Sequence, residues 1–233
     1  GDVFASIDVS GEIEIHQRTG AAVSIALTPV ENPCEFGIAR VDDEMRITEF
    51  KEKPKPEEVF SNLINAGVYV LQKDVLADVP KNTFYDFSKD LVPRLMSEGR
   101  RIQGYQVDGI WMDVGRPRDL LRANLAIADA EYADRDWKAP GCALDGSIYM
   151  GPGASAHGSR LTDAVILSQA SVRSSNLDRV LVMDGCEING ADLTNVILGE
   201  GCRVGKGAKV SNSVLADGTV VKPGEVLDQG RSV

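Results

Sequence analysis

Apolar and polar positions follow two different rhythms along this chain. Over the first ~120 residues, short β-prone runs alternate with stretches of helical spacing. Ala21 to Leu27 is a continuous apolar run set off by the Thr19-Gly20 break. Ile38 to Val41 and Met45 to Phe50 flank Asp42-Asp43-Glu44, the pattern of a hairpin. Ala66 to Leu71, Gln103 to Val107 and Ile110 to Val114 read as further strands. A helix is expected from Asp86 to about Gly99, and another over 116–132, where Pro117 suits the first turn. Leu120, Leu121, Asn124, Leu125 and Ala128 recur there at helical spacing. Glu12 to Arg18 reads as a helix feeding the Ala21 strand, with His16 on its surface and without chemistry. Asp134 to Pro140 reads as a linker. Strands alternating with helices imply an α/β layer structure.

Beyond the linker the period changes. Ala154, Ala170, Cys186 and Cys202 recur every 16 residues, each followed two positions later by Ala156, Val172, Ile188 or Val204. Leu161, Leu177 and Leu193 keep the same spacing. Apolar triplets follow, read as Val165-Ile166-Leu167, Val180-Leu181-Val182 and Val196-Ile197-Leu198. Units this short cannot bury an apolar face alone, so they must stack. With glycines and β-branched residues excluding helix, the stack is a parallel β-helix. The expected division is therefore an α/β region over 1–135 and a β-helix over 140–233.

Composition limits the partners. A net charge of −10 over 233 residues argues against a nucleic-acid surface. No apolar run approaches the ~18–20 residues that span a bilayer, and no signal peptide opens the chain. Cys34, Cys142, Cys186 and Cys202 form no C-x-x-C pair and read as reduced packing thiols, which sets the expected location as the cytoplasm. One well-placed lysine can still hold a phosphate on an acidic protein. Glu52-Lys53-Pro54 and Gly109-Ile110-Trp111-Met112-Asp113-Val114-Gly115 supply such a lysine and a strand-end carboxylate, the pair that a phosphate and its metal require.

These stretches resemble a known family. Gly1-Asp2, Glu35-Phe36-Gly37, Glu49-Phe50-Lys51-Glu52-Lys53-Pro54, Asn65-Ala66-Gly67-Val68-Tyr69, Asp86-Phe87-Ser88-Lys89-Asp90-Leu91 and Trp111-Met112-Asp113-Val114-Gly115 occur in the order seen in sugar-1-phosphate nucleotidyltransferases. The first region is similar to the second half of their Rossmann-like catalytic domain. The repeats are similar to their C-terminal left-handed β-helix of hexapeptide repeats. The resemblance implies the reaction of a nucleoside triphosphate with a sugar 1-phosphate, giving an NDP-sugar and pyrophosphate. Among members, mannose-1-phosphate guanylyltransferases look most similar, with glucose-1-phosphate thymidylyl-, adenylyl- and uridylyltransferases close behind. It implies Mg²⁺ held by Asp2 and Asp113, Lys53 on the sugar phosphate as the catalytic cation, Glu52 and Asn65 on sugar hydroxyls, and Gly37 against the sugar.

The family's Gly-rich nucleotide loop does not occur in this sequence. The chain is therefore expected to be a fragment, or a split-gene product whose other half is a separate chain, and to be inactive alone. The β-helix is expected to serve homo-oligomer assembly. Two other functions fit parts of the pattern. One is a non-catalytic regulatory or scaffold subunit. The other is a hexapeptide-repeat acyltransferase using His157, the only candidate base in the repeats.

Overall fold

The computed structural model describes residues 3–77 and 79–232. They form two compact units that divide between Met112 and Asp113.

In the first unit, β1 (Val3–Ala5) precedes helix α1 (Val9–Thr19), β2 (Val23–Pro29), the hairpin β3 (Gly37–Val41) and β4 (Ile47–Glu52), and β5 (Leu63–Leu71). A π-type turn (Phe87–Leu91) runs into α2 (Val92–Ser97), followed by β6 (Ile102–Gln106) and β7 (Trp111–Asp113). The main sheet has the order β4-β3-β5-β2-β6, with β2 and β6 parallel and the other pairs antiparallel; β1 pairs with β7 apart from it. β2 is apolar almost throughout because both its faces are covered. Val23, Ile25 and Leu27 pack with Leu91, Val92, Leu95 and Ile102 on one face. Ala26 packs with Ala66, Val107 and Trp111 on the other.

Helix α1 begins at Asp8, whose carboxylate accepts from Gly11 N–H at 3.0 Å, and ends at Gly20 in the left-handed conformation. Its orientation corrects the expectation for His16, which is only 7% exposed. His16 Nδ1 lies 2.9 Å from Ser24 Oγ on β2. One turn earlier Glu12 is fully buried, and its carboxyl oxygens have no hydrogen-bond partner among the described residues. Val9 and Ile13 face outward instead. The sheet beneath α1 carries polar side chains, so the helix turns its polar stripe inward, the reverse of ordinary amphipathic packing.

The second unit opens with α3 (Pro117–Tyr132) and continues as a parallel β-solenoid. One face stacks β8 (Ala143–Met150), β10 (Arg160–Ile166), β12 (Asn176–Val182), β14 (Asp192–Leu198), β16 (Lys209–Leu215) and β18 (Val226–Asp228). The other stacks β9 (Ser155–His157), β11 (Ser171–Arg173), β13 (Glu187–Asn189), β15 (Arg203–Val204) and β17 (Val220–Val221). The spacing of 16 holds from Arg160 through Asn176 to Asp192. It lengthens to 17 at Lys209, where Gly205-Lys206-Gly207-Ala208 adds a residue, and again at Val226, where Lys222-Pro223-Gly224-Glu225 does the same. The register also corrects the first apolar triplet: Ala164-Val165-Ile166, not Val165-Ile166-Leu167, aligns with Val180-Leu181-Val182. An alanine at the head of that coil hides the repeat from a search for β-branched residues.

Each long strand bends at one left-handed residue, giving the column Asp163, Arg179, Asn195 and Asn212. Asn and Asp tolerate that backbone because their short side chains bond locally. Here they also bond between coils: Asn195 Nδ2 donates to Asn212 Oδ1 at 3.0 Å, and Asn212 Nδ2 to Asp228 Oδ1 at 3.1 Å. Arg179 is the long side chain among them. Stacked aliphatics fill the interior, including Leu161, Leu177 and Leu193, with Cys186 and Cys202 between them. All four cysteines are free, and burial pushes the Cys186 thiol up to about 11.

Helix α3 lies on β8, β10 and β12. Leu121 and Ala128 cover Val165, Leu181 and Ile197, the outward members of the triplets. The next in that row, Val214, is 56% exposed. Residues 134–140, expected as a linker, instead pack against the solenoid. Trp137 and Ala139 sit on its interior cluster, Trp137 meets Tyr132 and Tyr149, and Arg135 stacks over Trp137 at 4.5 Å. An indole over the end of an apolar stack shields what the next coil would have covered. No helix of the described residues is long and apolar enough to cross a membrane.

Two outcomes follow. Burial pushes the Glu12 carboxyl from 4.5 to about 7, so the folded state binds its proton more tightly than the unfolded chain. Stability should therefore fall as pH rises from about 4.5 to 7, by up to about 3 kcal/mol. Burial holds His16 below its usual value, which makes its contribution rise with pH below 6.5, so the two oppose each other. Glu12→Gln isolates the acid: urea denaturation should show it gaining on the parent chain as pH rises through this window. Arg179→Asn should raise stability by about 0.5–1 kcal/mol, read as a higher denaturation midpoint, by relieving the left-handed backbone and extending the asparagine ladder.

Candidate functional site

The site of the first unit is built where β4 ends, β5 bulges and the α2 segment begins. β3 and β4 pair through Gly37 and Glu52, and the pairing runs one residue further, with Lys53 N–H donating to Phe36 O at 2.9 Å. Lys53 adopts a left-handed backbone, with φ of 45°, which turns the chain away from the sheet. A Cβ on Gly37 would lie 2.6 Å from Glu52 Oε2 and 2.7 Å from Phe50 Cζ. The bare glycine is what gives the Glu52 carboxylate its place.

On β5 the pairing with β2 jumps from Ile25–Tyr69 to Leu27–Asn65. The surplus residues form a bulge around Gly67, whose φ is 83°. Asn65 Oδ1 accepts from Gly67 N–H at 3.0 Å. That bond turns the Asn65 amide N–H groups outward, one to the Tyr69 hydroxyl and one to Ser88 Oγ at 3.1 Å. Tyr69 Oη also lies 3.2 Å from Ser88 Oγ, and its ring packs edge-on against Phe87. Trp111 Nε1 donates to Ala66 O at 3.0 Å, satisfying a carbonyl that the bulge takes out of the ladder.

Ser88 is held by the helix start. Asp86 Oδ1 accepts from Ser88 N–H at 2.8 Å and Lys89 N–H at 3.0 Å, an N-cap, while Asp90 Oδ2 accepts from Asp86 N–H. Burial and the nearby Asp86 carboxylate raise the Glu52 carboxyl above its usual range; Lys53, Lys89 and the Ser88 hydroxyl pull it back. Within the charge run, Lys51 pairs with Glu58 at 2.8 Å. Lys53 makes no ion pair with a described residue and remains beside Glu52 as an exposed cation. The arrangement offers an acceptor-only carboxylate, amide and hydroxyl groups, and ammonium groups on one rim. Polyhydroxyl compounds bearing an anionic group match that set.

The structure thus gathers Gly37, Glu52, Lys53 and Asn65 from separate segments. Asp113 closes β7 and belongs to the second unit; its Oδ1 accepts from Gly115 N–H at 3.0 Å. Asp2 lies outside the described residues. Tyr69, Asp86, Ser88 and Lys89 join the site without having been singled out from the sequence as site residues. The Asn-x-Gly inside a β-prone run was the available sign of a bulge. His157 sits at the end of β9, exposed and level with Arg173 of the next coil.

A family model described as Nucleotidyl transferase matches residues 1–130, and one described as GlmU-like, C-terminal hexapeptide matches residues 162–230. A provisionally named mannose-1-phosphate guanyltransferase of Sulfolobus acidocaldarius is 36% identical over 132 residues, covering 57% of this chain and 35% of that protein. A UTP–glucose-1-phosphate uridylyltransferase of a Synechocystis strain is 28% identical over 159 residues, covering 67% and 40%. A glucose-1-phosphate adenylyltransferase of Bacillus licheniformis is 35% identical over 150 residues, covering 59% and 39%. The chain thus spans 35 to 40% of the length of these relatives. With more than half of its residues matched by the first model, this chain belongs to the nucleotidyl transferase family, joined to a hexapeptide-repeat β-helix.

Proposed function

We propose that this chain carries the sugar-phosphate side of a sugar-1-phosphate nucleotidyltransferase, which joins a nucleoside triphosphate to a sugar 1-phosphate and releases pyrophosphate. The observation that carries this reading is the convergence of Glu52, Asn65 and Ser88 beside Lys53, on three segments that are distant in sequence. In it, Lys53 neutralises the sugar phosphate, Glu52 accepts from the hexose hydroxyls, Asn65, whose amide hydrogens are engaged, offers them the second lone pair of its Oδ1, and Gly37 leaves the carboxylate room. Mannose 1-phosphate with a guanine nucleotide is the preferred pair, in keeping with the name of the Sulfolobus relative; glucose 1-phosphate is the alternative, named in two others.

Asp113, a partly exposed carboxylate with one oxygen engaged by Gly115, suits Mg²⁺, which takes one or two carboxylates and completes its shell from phosphates and water. Asp113 and Asp2 would hold the ion, which when bound offsets phosphate charge. Assembly through the β-helix belongs to the same proposal.

Isothermal calorimetry tests the reading. The chain should bind mannose 1-phosphate or glucose 1-phosphate, and Lys53→Ala should weaken binding on the order of tenfold or more, because a charged hydrogen bond is lost. Gly37→Ala should weaken it comparably by displacing Glu52. Equal affinity of the parent and Lys53→Ala chains would remove Lys53 from the site and the reading with it.

A further inference from the structure

Ser88 Oγ occupies an unusual position: one hydroxyl at a helix start meets two side chains of β5, beside the end of β4. A serine hydroxyl has two acceptor lone pairs and one proton. The bond from Gly67 N–H fixes the Asn65 amide so that its N–H groups point at Tyr69 Oη and Ser88 Oγ. Tyr69 Oη already accepts from Asn65 and lies 3.2 Å from Ser88 Oγ, a pair in which either hydroxyl can donate; with Tyr69 as the donor the network runs one way. Both Ser88 lone pairs are then taken, and its proton remains for an acceptor. Glu52, which closes β4 where that strand packs against this helix start, offers a carboxylate acceptor.

We propose that Ser88 is a positioning residue for this site, collecting the donors of Asn65 and Tyr69 and turning its own proton onto the Glu52 carboxylate. The inference deepens the sugar-phosphate reading and rests on it. Its consequence is directional. Every hydrogen bond in the chain Asn65, Tyr69, Ser88 points toward Glu52, so one carboxylate oxygen is satisfied by protein and the other is left to accept hydroxyl protons of a hexose. The need for that donor is electrostatic. Glu52 is half-buried and faces the Asp86 carboxylate, which lies at the same helix start as Ser88. Lys53 and Lys89 are the cations that face it. Ser88→Ala, which replaces the hydroxyl with hydrogen, strands two donors and removes a neutral donor from the carboxylate.

The experiment is a carboxyl ¹³C NMR titration of Glu52 in the full chain, run beside calorimetric binding of mannose 1-phosphate and glucose 1-phosphate from pH 5 to 9. In Ser88→Ala, the Glu52 titration should move to higher pH. The acid limb of binding should move with it, giving roughly 3- to 10-fold weaker binding near the parent midpoint and a smaller loss at high pH. Ser88→Thr, which keeps the hydroxyl, should restore both. A fold-only role for Ser88 would lower the denaturation midpoint without moving the Glu52 titration, and that result overturns the proposal. If Ser88→Ala does not fold, Ser88→Cys takes its place, since a thiol is a weak donor, with the same expected shift. A Glu52 titration that responds to Ser88 in a chain that binds neither hexose phosphate would instead overturn the functional reading while leaving the hydrogen-bond chain intact.

Discussion

A regular strand separates residues i and i+4 by about 13 Å, yet Asn65 and Tyr69 on β5 share a hydrogen bond. The bulge at Gly67 closes that gap, and the rest of the site is arranged around it. It leaves Ala66 O outside the ladder, where Trp111 donates to it, and it turns the Asn65 amide toward Ser88. Only a residue free of Cβ strain takes a φ of 83° at low cost. A straight β5 would pair completely with β2 and hold Asn65 and Tyr69 apart, so the sheet gives up regular pairing where the polar cluster forms.

The solenoid solves a different problem with a related device. Its coils are identical only where side chains stack, and the turns are set by columns of left-handed residues. Because each coil covers the one before it, the exposed surfaces are the outward row and the end of the stack. Helix α3 takes most of the row and Trp137 takes the end, which is why residues between the last helix and the first coil are packed and not free. The boundary between compact units consequently falls before α3, although the period of the sequence changes after it.

Periodicity explains what could be read in advance. Sixteen-residue spacing of Leu161, Leu177 and Leu193 demands stacked coils, because those leucines have no other way to leave water. The hairpin around Asp42, the capped helix at Asp86 and the Pro117 helix were legible for similarly local reasons. Ala164 was lost as a triplet head because an interior alanine carries no β-branched signal. His16 was misplaced because α1 buries Glu12 and His16 and exposes Val9 and Ile13, and no hydropathy pattern predicts an inward polar stripe. Within the site, Glu52 and Lys53 were visible as a motif. Ser88 was visible only as the second residue after a cap, since its proximity to Asn65, 23 residues away in sequence, depends on a bulge and on the path of the chain after β5.

Among the described residues of the first unit two carboxylates are lifted by burial, and the contrast between them separates the acid proposed for the sugar site from a structural oddity. Among the described residues Glu12 meets no hydrogen-bond partner, and desolvation is what raises it. The low-energy response of such a group is to keep its proton, and a protonated acid beneath a helix has nothing to recognise. Glu52 is raised by burial and Asp86, and lowered by Lys53, Lys89 and Ser88. Cations and a donor favour the charged form against burial, and a carboxylate partly withdrawn from water makes stronger hydrogen bonds to an incoming hydroxyl. Burial alone therefore does not mark the site. What marks it is burial balanced by cations and a directed donor, and among these two acids only Glu52 has both.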